Sequence, residues 1–149
     1  MGRVERSIVI KAPPKKIWGM LAMDKLQEWD EGLQKSVKSI EFISEVDTPE
    51  DKYKVGPSAR MTENSGKEFV MEVKESLVNE KIVYQSGMMS MVITYEIEPA
   101  IEGTKLTKIS DYKLPYGFFG GFLDKLAGQR MLGKETERSS ENLKGILEK

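Results

Sequence analysis

The chain of 149 residues contains no cysteine and no histidine. These absences exclude disulfides, thiol nucleophiles, zinc sites of the Cys/His type and a Ser-His-Asp arrangement. They also remove the side chain that titrates near neutral pH without perturbation. Any acid–base chemistry therefore needs Asp, Glu, Lys or Tyr with a shifted pKa.

An excess of charge of one sign is also lacking, because 23 Lys and Arg residues nearly balance 24 Asp and Glu residues. Binding of nucleic acid needs a basic face or stripe, and here lysines alternate with glutamates along almost the whole chain. The carboxylates are scattered without the spacing of a calcium loop. We therefore expect no nucleic-acid partner, no metal and no cofactor.

Long hydrophobic runs are missing, since no stretch approaches the roughly 18 apolar residues that a membrane-spanning helix needs. The N-terminal stretch MGRVERSIVIKAPP has a short apolar run broken by charges and no small-residue cleavage site, which predicts a strand rather than a signal peptide. These features predict a cytoplasmic protein with no integral membrane segment. The length predicts one domain over residues 1–149, large enough to bury a core.

Hydrophobic periodicity predicts the order of the elements. Apolar residues alternate over residues 3–10, which indicates a first strand, and Pro14 suits the first turn of a short helix. Asp24 is the predicted N-cap of a second short helix, with Gln27 in the capping-box position. About six strands then follow through short turns with no helix between them, which predicts an antiparallel sheet. From about residue 115 the pattern is that of one long helix.

This order and four local motifs resemble the START-like superfamily (SRPBCC), and within it the polyketide cyclase/dehydrase group. The motifs are SIVIKAPPKKIWGMLA, LQEWDEGL, YKVGPSARM and YEIEPAIEGTKLTKISDYKLP, and they occur in the order of that superfamily along the whole chain. The resemblance implies the Bet v 1-like helix-grip fold of the α+β class. In that fold a curved antiparallel sheet of about six to seven strands wraps around a long C-terminal helix. Two short helices follow strand 1, and a cavity lies between the sheet and the long helix.

Members of this superfamily include lipid carriers, hormone receptors, cyclases, hydrolases and co-chaperone-like modules, so the fold alone leaves the function open. The leading hypothesis is binding or transport of a hydrophobic small molecule, such as a lipid, an isoprenoid or a polyketide-like compound. One alternative is a cofactor-free enzyme of the cyclase/dehydrase type. Another is a protein-interaction module.

Strand parity and the aromatic and methionine content predict the side chains that line the cavity. Methionine adapts to irregular shapes and varied ligands, although all of these side chains would serve equally well in an ordinary core. Trp29, beside Asp30 and Gly32, is expected near the cavity mouth or in the core. The predicted lining residues are Trp29, Phe69, Met71, Tyr84, Met91, Ile93, Tyr95, Tyr112, Phe118, Phe119 and Phe122.

Polar residues with the same parity are candidates for orienting a carbonyl or stabilising an enolate, as a cyclase needs. A slip of one residue in register would reverse each assignment, and the basic residues among them also suit ordinary ion pairs. No catalytic residue is assigned on this basis. The candidates are Arg6, Lys108, Ser110, Tyr84, Tyr95 and Tyr112, with Arg60 added through the uncertainty of register.

The stretch LPYGFFGGFLDKLAG, residues 114–128, places three phenylalanines beside four glycines between the last strand and the long helix. Its glycines weaken the start of the helix by about 1 kcal/mol each relative to alanine. Large apolar side chains on such a backbone suit a lid, a membrane-touching tip or a partner contact, including a homodimer. The alternative is a tight turn whose phenylalanines close one end of the core.

Overall fold

The described residues form seven strands and four α-helices. The computed structural model describes residues 2–56, 58–87, 90–113 and 121–149, with the backbone alone for residues 121–127. The elements are β1 Gly2–Ile10, α1 Pro14–Trp18, α2 Met23–Leu26, α3 Glu31–Ser36, β2 Val37–Phe42, a 3-10 turn at Pro49–Tyr53, β3 Ser58–Glu63, β4 Glu68–Leu77, β5 Lys81–Ser86, β6 Val92–Ala100, β7 Gly103–Tyr112 and α4 Gly121–Leu147.

The strands form one sheet in the order β1-β7-β6-β5-β4-β3-β2, and all neighbouring strands are antiparallel. Because β1 pairs with β7, the chain returns to its first strand before it enters α4. The register shifts between Val37 and Ser39 on β2 and between Val73 and Glu75 on β4. Irregularities of this kind bend a strand and increase its twist, which favours a curved sheet. The predicted α+β helix-grip fold is confirmed.

Helix α4 is held against β1 and α3 by polar contacts along its described surface. Arg6 on β1 donates from Nε to Glu137 at 3.0 Å. Glu31 on α3 accepts from Nε of Arg138 at 2.6 Å, and its backbone N–H donates to Ser139 Oγ at 2.9 Å. These contacts tie α3 to the middle of α4.

The region after β1 contains three short helices where the sequence predicts two. The chain leaves helical conformation at Asp30, which has φ −78° and ψ 111°, so the predicted second helix is split into α2 and α3. The Asp30 carboxylate accepts from the backbone N–H of Leu33 at 3.2 Å and thereby caps α3. An N-cap residue needs this extended backbone, which explains why the helix is interrupted here.

The prediction of Asp24 as an N-cap is wrong. Residue 22 precedes α2 with no side-chain cap, and Asp24 itself lies inside the helix. The Asp24 carboxylate accepts instead from Lys52 Nζ at 2.6 Å, and Gln27 donates to the backbone carbonyl of Val37 at 2.8 Å. Both side chains bind partners from other elements, which local sequence patterns do not reveal.

The largest group of buried side chains lies between the inner face of the sheet and helices α1 and α2. Its bulkiest fully buried members are Trp29, Tyr84 and Tyr95. Trp29 and Tyr84 satisfy their polar atoms on backbone carbonyls, whereas the Tyr95 hydroxyl, at the edge of this group, has no described partner. We call this group the packed half of the interior. Its completely buried aliphatic and methionine side chains are Ile10, Ile17, Leu21, Met23, Leu26, Met61, Ile82, Leu106 and Leu143.

Candidate functional site

A cavity of about 320 Å³ occupies the other half of the interior, between α3, α4 and the inner faces of β4, β6 and β7. Most of its lining is apolar, and Met131, which is 69% exposed, lies at its rim. The main apolar side chains are those of Leu33, Met71, Met91, Ile93, Tyr112 and Leu132.

Five of the residues that the sequence predicts for the cavity do line it. Met91 directly precedes β6, and the others lie on β4, β6 and β7. The five residues are Met71, Met91, Ile93, Tyr95 and Tyr112. Alternation along a strand determines which side chains share a face, and this explains the agreement in position. Their contact with a ligand stays a prediction.

Three other predicted residues lie in the packed half and not in the cavity wall. Trp29 is 1% exposed and donates its indole N–H to the carbonyl of Met20 at 2.9 Å. Tyr84 is completely buried and donates its hydroxyl to the carbonyl of Leu21, while Phe69 packs against the same core. Parity places each strand residue on the correct face, but it does not predict which helix covers that face.

Phe118, Phe119 and the side chain of Phe122 lie outside the described residues. Their assignment to the cavity stays a prediction, and so does the homodimer through this patch.

The cavity has one polar wall, built around a buried ion pair. Lys108 on β7 donates from Nζ to Asp30 Oδ2 at 3.0 Å, and the two side chains are only 10% and 8% exposed. The second oxygen of Asp30 caps α3. One carboxylate therefore positions both the start of α3 and the lysine, which links the helix geometry to the charge at the wall.

Tyr95 lies beside this ion pair. Tyr95 on β6 pairs in register with Lys108 on β7, and Nζ of Lys108 lies 5.8 Å from the centre of the Tyr95 ring. Its hydroxyl is buried and has no hydrogen-bond partner within the described part of the chain. Burial raises the pKa of Tyr95 above its ordinary value, although the Lys108 ammonium offsets part of that effect. The hydroxyl therefore remains protonated and is available as a donor.

The lysine stays charged despite its surroundings. Burial alone lowers the pKa of Lys108, but the Asp30 carboxylate, with smaller contributions from Tyr95 and Glu135, raises it above the ordinary value. A buried cation is stable only when it is paired, and Asp30 supplies that pairing.

Glu135 contributes a second carboxylate from α4. It lines the cavity beside Asp30, and its carboxylate lies so close to Gly32 that a Cβ at that position would collide with it. Burial, reinforced by the negative charge of Asp30, raises the pKa of Glu135 above its ordinary value. Gly32 is therefore needed for the close approach of α3 and α4 at the cavity.

Of the polar candidates from strand parity, Lys108 and Ser110 reach the cavity and the two arginines do not. Ser110 is 1% exposed and lies two residues after Lys108 on the same face of β7. Arg6 pairs with Glu137 on α4. Arg60 pairs with Glu68 and lies between Ala59 and Met61, which are fully buried on the opposite face, so its side chain points outward.

The sequence patterns do not predict Asp30 or Glu135 as site residues. Asp30 is named there only as the neighbour of Trp29, and Glu135 falls in the polar stretch KETERSSEN of the long helix. The sequence does contain a local signal for Asp30. An Asp three residues before Leu33, at the start of a helical stretch, predicts an N-cap residue. No local signal marks Glu135, because its role depends on the contact between α4 and α3.

The arrangement combines an apolar space with a few fixed polar groups, as ligand sites do. Across the described ranges, no group of three or more acidic residues could hold a metal ion. None of the helices described there has the length and apolar character to cross a bilayer. The described wall offers hydrogen-bond donors and two carboxylates at one side of an apolar space.

The fold and this cavity together define a helix-grip protein of the START-like superfamily. The family model described as "Polyketide cyclase / dehydrase and lipid transport" matches residues 1–148. The chain therefore belongs to this family, as the motifs of the sequence predict.

Solved structures share the fold at low sequence identity. The protein MLL2253 from Mesorhizobium loti is 18% identical with a TM-score of 0.71, over 99% of this chain and 97% of its own. TTHA0849 from Thermus thermophilus is 20% identical with a TM-score of 0.69, over 98% and 97%. The Aha1 dimer from Colwellia psychrerythraea is 17% identical with a TM-score of 0.57, over 94% and 96%. No curated protein matches the chain.

Proposed function

We propose that this protein binds a hydrophobic small molecule in the cavity between α3, α4 and the sheet. The observation that carries the proposal is an apolar cavity of about 320 Å³ with polar groups gathered on one wall. Ligand sites have this composition because apolar surface supplies affinity and a few fixed polar groups supply orientation. The family description, which includes lipid transport, supports the same function.

The volume restricts the size of the ligand. A water molecule takes about 30 Å³ in the liquid, so the cavity holds the equivalent of about ten waters. A ligand of about ten to twelve non-hydrogen atoms fits this space, and a longer one extends past the rim at Met131. This range includes medium-chain lipids and small aromatic or isoprenoid compounds.

The test is to unfold freshly purified protein in organic solvent and to search the extract for small molecules by mass spectrometry. A compound present in stoichiometric amount would support the proposal and identify its chemistry. The test variant is Ser110→Leu, which fills the cavity with an apolar side chain. Its control is Ser39→Leu, the same change at an exposed position of β2. Ser110→Leu should lose the compound and Ser39→Leu should retain it. Equal amounts in both variants would contradict the cavity as the site.

A second candidate function is a cofactor-free enzyme of the cyclase/dehydrase type. Glu135, whose raised pKa suits a general base, and the Lys108 ammonium line the same cavity. A base beside a cation is the arrangement that forms and stabilises an enolate. Because burial and Asp30 raise the pKa of Glu135, its carboxylate is a stronger base than an ordinary carboxylate.

Exchange of the α-protons of undecan-2-one in D₂O, followed by NMR, tests this second candidate. The protein should accelerate exchange, and Glu135→Gln should abolish that acceleration while the ketone still binds. Binding without accelerated exchange would leave the protein as a carrier or sensor and would contradict the enzymatic alternative.

A further inference from the structure

We propose that the cavity selects an uncharged ligand with a hydrogen-bond acceptor, such as a ketone or an ester, over a carboxylate, and places that acceptor against Lys108, Tyr95 and Ser110. This inference rests on the proposed function and specifies the chemistry of its ligand. It follows from a count of donors, acceptors and charges at the polar wall.

Donors at this wall remain available to a ligand. The Lys108 ammonium has three N–H donors and uses one of them on Asp30. The buried hydroxyl of Tyr95 has no acceptor within the described residues. Ser110, also buried, lines the cavity two residues after Lys108 on the same face of β7. A ligand that brings an acceptor to this wall satisfies groups that are otherwise costly to bury.

The acceptors of Asp30 are already occupied. Its Oδ2 accepts from Lys108 and its Oδ1 accepts from the Leu33 amide. Asp30 therefore offers little to a donor on the ligand. The remaining carboxylate, Glu135, lies beside Asp30 at Gly32 and adds a second negative charge to the same wall.

The charges at the wall disfavour a ligand carboxylate. Three charged residues line the described cavity, namely Asp30, Lys108 and Glu135. A ligand carboxylate would add a third negative group around a single cation, which Asp30 already neutralises. Like charges close together in a partly buried site oppose binding strongly.

Two probes with the same number of non-hydrogen atoms test the selection: undecan-2-one and decanoic acid. At neutral pH the second is a carboxylate. The dissociation constant of each for the full chain would be measured by titration calorimetry. The ketone should bind about tenfold more tightly than decanoate, or better, because it alone gains a hydrogen bond to a charged donor without repulsion.

Two variants locate the selection in named groups. Glu135→Gln removes one negative charge, so decanoate should gain about fivefold in affinity while the ketone changes less than about twofold. The double variant Lys108→Met with Asp30→Asn keeps the cap of α3 and removes the ion pair as a unit. It should weaken the ketone about tenfold. Thermal unfolding of each variant, measured in parallel, confirms that the comparison is made on folded protein.

The outcomes separate this inference from the function on which it rests. Decanoate binding as tightly as the ketone would overturn the inference and leave hydrophobic ligand binding in place. An unchanged ketone affinity in the folded double variant would overturn the role of the polar wall. If neither probe binds and the solvent extract is empty, the proposed function fails and the inference fails with it.

Discussion

The two halves of the interior lie on the same sheet and differ in how their polar atoms are satisfied. In the packed half, the Trp29 indole and the Tyr84 hydroxyl donate to the carbonyls of Met20 and Leu21. In the cavity half, the Tyr95 hydroxyl has no described partner, although its ring packs edge-on against both Trp29 and Tyr84. Tyr95 thus contacts two aromatic side chains whose polar atoms are satisfied, while its own hydroxyl is not.

Nearby loop carbonyls explain the difference. Met20 and Leu21 lie in the loop between α1 and α2, and their backbone carbonyls accept from the Trp29 indole and the Tyr84 hydroxyl. The Tyr95 hydroxyl has no such acceptor among the described residues, and a ligand can supply one.

The largest effect that would break this comparison is the loss of Asp30. Asp30→Ala leaves the Lys108 ammonium buried without its partner, and we expect unfolding free energy to fall by about 3–5 kcal/mol. Asp30→Asn keeps the cap of α3 and should cost about 1 kcal/mol less than the alanine variant. Urea unfolding of both variants measures this. A loss below about 1 kcal/mol in Asp30→Ala would show that the ion pair does not hold the polar wall.

A matched pair of methionines sharpens the comparison at intermediate size. Met61 is completely buried in the packed half, whereas Met91 lines the cavity. Met61→Ala creates a new void and should cost about 2–5 kcal/mol. Met91→Ala enlarges an existing cavity and should cost less than about 2 kcal/mol, because one side of the side chain has few atoms to lose contact with. Equal losses in urea unfolding would mean that the cavity region is as tightly packed as the core.

The smallest effect concerns acid pH and the attachment of α3 to α4. Hydrogen bonds from Arg138 and then from Lys35 lower the pKa of Glu31 from 4.5 to about 2. A carboxyl whose pKa is lower in the folded state adds stability above its unfolded pKa, so this contribution is lost as the pH falls from about 4.5 towards 2. Glu31→Gln should therefore show a flatter fall in melting temperature over this range.

Asp51 serves as the control for that measurement. The pKa of Asp51 is also lowered to about 2, mainly by Lys54, but this group belongs to the 3-10 turn far along the chain from α3. Glu31→Gln and Asp51→Asn should both flatten the acid dependence, and only the first should weaken binding of undecan-2-one. Weakening by both variants would argue against a specific link between the α3–α4 contact and the cavity.

The fold and one wall of the site were predictable because they depend on short-range patterns. Alternation placed Met71, Ile93, Tyr95, Lys108 and Ser110 on the inner face, and the period of a strand makes that assignment robust once the register is right. Motif order along the whole chain indicated the helix-grip fold in the same way. The long helix and the antiparallel run of strands follow from periodicity and from short turns.

The sequence by itself determined the fold class, the family and the side chains that share the concave face of the sheet. Only the tertiary structure decided that Trp29 and Tyr84 belong to the packed half, that Asp30 pairs with Lys108, and that Glu135 faces them from α4. Asp30 and Lys108 are 78 residues apart in the chain, so no local periodicity connects them. Their meeting depends on which helix covers which strands, because only that packing removes their charges from water and makes them partners.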